Sequence, residues 1–135
     1  MANIPADLKY TKEHEWVKIT GSTARVGITH YAQDALGDVV YIDFPKAGAQ
    51  IKQMAVAGTI ESVKAVSEIY QPLTGTIGQV NADLNKTPAA VNQDPYGAGW
   101  LARVALTDFE RDRTMLLTGD AVAAAMAHHA WLNRD

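Results

Sequence analysis

The chain has no cysteine among its 135 residues. That excludes disulfides, thiol catalysis and thiolate metal sites, and it fits a reducing compartment. There is no block of basic residues, so the electrostatic footprint of a nucleic-acid binder is missing. No apolar run approaches the length that spans a bilayer. The opening Met1-Ala2-Asn3-Ile4-Pro5 has neither the basic start and continuous apolar stretch of a signal peptide nor the Arg- and Ser-rich character of a transit peptide. The expected setting is the bacterial cytoplasm, with the mitochondrial matrix applying only to a processed form.

What is present is ordinary globular material. Apolar residues make up 47% and charged residues 20%, and 12 basic against 15 acidic side chains leave a net charge of −3. One compact domain over residues 1–135 is expected. Such a mildly acidic surface is compatible with docking onto larger proteins.

Period-two alternation marks half-buried strands. In Thr23–Ile28, Ala24, Val26 and Ile28 share a face; in Val39–Phe44, Val40, Ile42 and Phe44 do; in Leu101–Leu106, Ala102, Val104 and Leu106 do. Turn signals stand at Thr20–Ser22, Pro45–Gly48, Gln71–Gly75 and Asp94–Gly99. Thr29 should cap a short helix through Ala35 that Gly37 stops. Thr87-Pro88 should open a single turn through Val91. Thr107–Glu110 reads as a capping box, and the Ala-rich stretch 120–132 as a C-terminal helix. Pro45–Gly48 and Pro72–Gly75 share a P-x-x-G pattern, an echo that turn chemistry alone could produce. The pattern gives a mainly β fold with short helices and a terminal helix.

The informative stretch is Thr59–Tyr70. Strand-like residues flank Val63-Lys64, so a reversal there would put Lys64 at a hairpin tip, where a modifying enzyme can reach it. Acylation of such a lysine removes its charge and extends its stem. On spacing alone Lys64 is a surface lysine like the other six. Val63-Lys64 lacks the Gly or Asn that tight hairpin turns prefer, which suggests selection for something other than the turn.

Glu61-Ser62-Val63-Lys64-Ala65, followed by Ser67, resembles the lipoylation motif of glycine cleavage H-proteins. The resemblance continues in order through Tyr10–Trp16, through Gly27-Ile28-Thr29 and Tyr31-Ala32-Gln33, and through Leu36–Val40. It extends over Val80-Asn81, Leu84, Pro88 and Val91-Asn92, then Asp94–Gly97 and Gly99-Trp100. Together these blocks cover roughly residues 8 to 106, a far more specific signal than one motif. Most of them also have plain structural roles: Asp94-Pro95-Tyr96-Gly97 as a type I turn, Gly37-Asp38 as a helix stop, Trp100 as a core anchor opening the last strand.

The resemblance implies a barrel-sandwich hybrid of two antiparallel sheets, lipoyl-domain-like, and a lipoate joined by an amide to Lys64, with Glu61, Ser62, Val63 and Ala65 as its recognition context. It also implies that Glu15 belongs to a surface cleft that receives the loaded arm, its carboxylate pairing with the cationic amine of an aminomethyl group. Glu13 and Glu68 are further candidates for that surface, although by residue type alone they are solvated surface acids. The family more often has Asp where this chain has Glu68, so the carboxylate is kept with a longer reach. His14-Glu15-Trp16 has no second histidine at the spacing of a zinc protease, His128 and His129 are adjacent on a helix, and with His30 they form no metal site.

The function implied is that of a carrier in glycine catabolism and one-carbon metabolism, not a catalyst. Its partners would be a pyridoxal-phosphate glycine decarboxylase, a tetrahydrofolate-dependent aminomethyltransferase and a flavin dihydrolipoyl dehydrogenase, with a lipoyl ligase or octanoyl transferase attaching the arm. A lipoyl relay protein that donates its group to 2-oxoacid dehydrogenase complexes is the alternative. A biotin carrier would have Met on both sides of the lysine, where this chain has Val63 and Ala65. Dehydrogenase lipoyl domains lack the Asp94–Trp100 and N-terminal blocks. A hydrolase using His14 and Glu15 would keep its activity without Lys64.

Overall fold

The computed structural model describes residue 5 and residues 7–118. Among the described residues nine strands run in chain order: β1 Lys9–Tyr10, β2 Glu15–Thr20, β3 Thr23–Ile28, β4 Val39–Asp43, β5 Gln50–Ile51, β6 Val56–Ser62, β7 Val66–Tyr70, β8 Gly75–Val80 and β9 Ala102–Leu106. Three short α-helices interrupt them: α1 His30–Leu36, α2 Ala90–Gln93 and α3 Phe109–Asp112. Six strands form one antiparallel sheet in the order β1-β2-β3-β9-β8-β5, and three form a second in the order β4-β6-β7. The mainly β, two-sheet fold expected from the sequence is the fold observed. The helix expected at 120–132, with His128 and His129, lies outside the described residues.

The alternation in β3 and β9 works as expected. Ala24, Val26, Ala102 and Val104 are buried and meet Val17, Leu73 and Ile77 in one core cluster. A second cluster joins the sheets, with Ile28 of β3 against Val39, Ile60 and Ile69 of the smaller sheet. Each such side chain taken from water contributes about 1.5–3 kcal/mol.

Strand β4 departs from expectation. The register against β6 shifts between Val39 and Tyr41, so Val39 turns inward and Val40 is 51% exposed. A bulge of this kind breaks the period of two and reverses the faces on one side of it. Trp100 also departs: it is half-buried, and Leu101 is the fully buried residue at the entry to β9.

Helix α1 follows its sequence signals. The Thr29 hydroxyl accepts the Ala32 N–H, and Gly37 ends the helix at φ 82°, ψ −164°, a conformation essentially reserved for glycine. Helix α2 starts later than expected, at Ala90 with Ala89 as its cap, because Thr87 and Pro88 form a preceding turn through their carbonyls. The Thr107–Glu110 capping box does not form: Asp108 is the cap and makes no side-chain capping bond, while Glu110 accepts from Arg113 Nε instead. The P-x-x-G echo has a spatial counterpart, since its two turns lead into β5 and β8, which pair with each other.

Candidate functional site

Strands β6 and β7 form a hairpin paired up to Glu61 opposite Val66, and Lys64 stands exposed in the three-residue connection Val63–Ala65. The turn does not depend on glycine or asparagine. Ser62 closes it: its N–H donates to the Ala65 carbonyl at 2.8 Å, and its hydroxyl oxygen accepts the N–H groups of Lys64 at 3.3 Å and Ala65 at 3.1 Å. The turn is therefore chemically well specified, contrary to the reading of Val63-Lys64 as a poor turn. A Ser or Thr hydroxyl that bonds backbone two and three residues on is the signal that would have found it.

The tip is tied to the end of α1. The Val63 N–H donates to the Asp38 carbonyl at 3.0 Å. That segment is held by Asn92, whose side-chain oxygen accepts the Val39 N–H at 2.8 Å and whose amide donates to the Gly37 carbonyl at 2.8 Å and to Gln33 Oε1 at 3.0 Å. The stem of Lys64 lies over Gly37, where an added Cβ would stand 3.2 Å from Lys64 Cε and 3.8 Å from Nζ. Glycine thus leaves a shallow bed for the lysine stem.

Beside this bed, between α1 and the β6–β7 hairpin, runs a cleft of about 430 Å³. Ile28, Ile60 and Ile69 contribute its apolar surface, and Tyr31, Ala32, Ala35 and Leu36 present the flank of α1. Glu13, Glu15 and Glu68 all line it, so the three acids chosen from the sequence share one cavity. Lys12 lines it too, a cation that sequence reasoning did not single out. Glu13 and Glu68 are exposed, and Tyr70 OH donates to Glu68 Oε1 at 3.2 Å.

Glu15 lines the cleft but, unlike Glu13 and Glu68, is buried. Only 3% of it is accessible. Thr11 reverses the chain ahead of it: the Glu15 N–H donates to Thr11 Oγ1, the His14 N–H to the Thr11 carbonyl, and His14 takes φ 70°. The carboxylate accepts the Thr11 hydroxyl on Oε1 and the Tyr70 N–H at 3.3 Å on Oε2, so it links β2 of the larger sheet to β7 of the smaller. Neither donor is charged. Burial pushes its carboxyl up to about 7, reinforced by neighbouring Glu13 and opposed by the bonds from Thr11 and Tyr70. A cation arriving in the cleft would favour the ionised form. Thr11 and Asn92 are site residues that sequence reasoning left without a role, and Gly37 was read there only as a helix stop.

Among the described residues no group of three His, Cys, Asp or Glu could hold a metal ion. His14 packs its ring 4.7 Å from that of Tyr31, and the His30 backbone N–H donates to Tyr96 OH. No helix of the described residues is long and apolar enough to cross a membrane.

Comparison with known proteins agrees with this geometry. The family model for glycine cleavage H-protein matches residues 8–129, beyond the stretch of roughly 8 to 106 covered by the motif blocks. The chain is similar to the glycine cleavage system H protein of Symbiobacterium thermophilum, 50% identical over 108 residues, covering 80% of this chain and 84% of that one. It is equally similar to the H protein of Mycobacterium avium, 50% identical over 125 residues, covering 90% and 95%. The crystal structure of the H protein from Mycobacterium marinum superposes with a TM-score of 0.80 at 38% identity, covering 92% of this chain and 99% of that one. These names favour a glycine cleavage component over a free-standing lipoyl relay. The chain belongs to the glycine cleavage H-protein family, and is a lipoyl-bearing shuttle of the glycine cleavage system rather than a catalyst.

Proposed function

We propose that Lys64 is the attachment point of the lipoyl arm, as an amide on Nζ, and that the neighbouring cleft shelters the loaded arm between partners. The observation that supports this reading is the placement of the Lys64 stem on Gly37, the chain neighbour of Leu36, which lines the cleft. A lipoyl group bound there would supply a dithiolane, one sulfur of which can take up an aminomethyl carbon as the ring S–S bond opens and the other sulfur becomes a thiol. This chain's residues supply reach, shelter and charge. The hairpin tip projects the lysine so that it can enter a separate active site. Glu61, Ser62, Val63 and Ala65 form the surface that an attaching enzyme reads, and Val63 is 69% exposed for such contact. An arm lodged against Ile28, Ile60 and Ile69 would displace water from that side of the cleft. Glu15 pairs with an amine brought into it, with Glu13 and Glu68 at the rim.

The stations served are a pyridoxal-phosphate glycine decarboxylase, a tetrahydrofolate-dependent aminomethyltransferase and a flavin dihydrolipoyl dehydrogenase, with a lipoyl ligase or octanoyl transferase loading Lys64. The relatives are bacterial, and the bacterial cytoplasm, with residues 1–135 acting as one domain, is the setting of this reading. Each partner must offer the arm better contacts than the cleft does, because only differential affinity shifts the equilibrium. The test compares ammonia release from aminomethyl-loaded wild type and Glu15→Ala. Faster release from the variant is expected, and equal rates would remove Glu15 from the reading.

A further inference from the structure

The outer face of the larger sheet, across the sandwich from the small sheet that carries the Lys64 hairpin, bears a row of cations. Lys18 on β2 lies opposite Arg25 on β3, and Arg25 lies opposite Arg103 on β9. Their chain neighbours Val17, Ala24, Val26, Ala102 and Val104 are buried, so the three side chains leave on the solvent side. Adjacent strands are about 4.8 Å apart, which makes the row roughly 10 Å long. Lys18 and Arg103 are exposed, and the Arg25 guanidinium sits 5.2 Å from the centre of the Trp100 ring.

No carboxylate of the described residues pairs with any of the three; the ion pairs among the described residues are made by Arg111 and Arg113. The row lines a concavity of about 370 Å³ together with Thr20 and Thr23. Like charges directly opposite one another on adjacent strands destabilise a sheet. Yet the net charge is −3, so acids were plentiful enough to break the row. They sit elsewhere. Asp43 and Glu68 flank Thr59 across the small sheet, and Glu61 lies between Tyr41 and Val66. The two outer faces carry opposite sign.

We propose that the Lys18–Arg25–Arg103 row is a docking surface for an acidic helix of a partner protein. Helix residues three and four apart have Cβ atoms about 5–6 Å from one another, close to the inter-strand spacing of the row. Arginine forks bind carboxylates in two-pronged fashion. An acidic helix is repelled by the hairpin face, so electrostatics select one orientation. Docked there, the partner holds the body of the shuttle while Lys64 stays free to swing, a consequence that rests on the reading of Lys64 given above.

The probe is an Ala-rich helical peptide with Glu at every fourth position, titrated into isotope-labelled holoprotein at low salt. Amide shifts are expected in residues 17–26 and 102–105 and not in 61–66. Lys18→Glu and Arg103→Glu should each weaken binding about tenfold, with an unchanged or raised melting temperature. The double variant should instead bind the peptide with Lys in place of Glu, and that rescue separates docking from any loss of fold. Unlipoylated Lys64→Arg protein should bind as the holoprotein does, so failure of the lipoyl assignment would leave this result standing. Shifts confined to other surfaces, or equal affinity for wild type and Arg103→Glu, would overturn the proposal. Tripolyphosphate displacing the peptide at equal or lower concentration would overturn it in favour of a phosphate site.

Discussion

The stem of Lys64 lies on Gly37, with Cε 3.2 Å from the point a glycine-to-alanine methyl would occupy. Gly37 also ends α1 at φ 82°, ψ −164°. One residue therefore sets both the direction of the chain and the space beneath the arm-bearing side chain.

Gly37→Ala should lose about 1–3 kcal/mol of stability from backbone strain, read by urea denaturation. It should also slow enzymatic lipoylation of the folded fraction, because the new methyl lifts the lysine stem. Full stability with unchanged lipoylation would remove the bed from the account.

Asn92→Ala should cost about 1–3 kcal/mol, because the Val39 N–H and Gly37 carbonyl lose their side-chain partner. The effect should travel one bond further. Hydrogen exchange at the Val63 amide, which is bonded to Asp38, should accelerate more than exchange at the central strand residue Val26. Equal acceleration at both would mean global destabilisation without specific support of the tip.

Glu15 gives the protein a pH dependence of defined sign. Its carboxyl is raised from 4.5 to about 7. Between these values the folded protein holds a proton that the unfolded chain has released, so the contribution of Glu15 to stability is full below pH 4.5 and is lost as pH rises through 7. The loss amounts to about 3 kcal/mol at most. At Asp112 burial raises the carboxyl, but hydrogen bonds from Thr74 and Arg111 outweigh it and lower the group, so it titrates below this window. Denaturation from pH 5 to 8 should show the decline in wild type and a flatter profile in Glu15→Gln. Parallel profiles would contradict the burial of an isolated carboxyl.

Local chemistry was legible in the sequence. Thr29 and Gly37 bracket α1, and the alternation of Ala24, Val26 and Ile28 marks β3, because caps and strand faces depend on neighbours a few residues away. Features set by distant pairing were not. The bulge that exposes Val40 depends on the register against β6. The burial of Glu15 depends on the Tyr70 backbone, 55 residues along the chain. Asn92 acts on groups 53 to 59 residues away. Within the site, Lys64 was found through its flanking motif, while the closing role of Ser62 went unread although its hydroxyl acts locally.

The most direct test is the intact mass of the protein after incubation with lipoate, ATP and a lipoyl ligase, with the modified residue mapped by peptide fragmentation. One lipoyl group on Lys64, and none on Lys64→Arg, is the expected result. Modification at another lysine, or an unchanged mass under conditions that load a known lipoyl domain, would contradict the account.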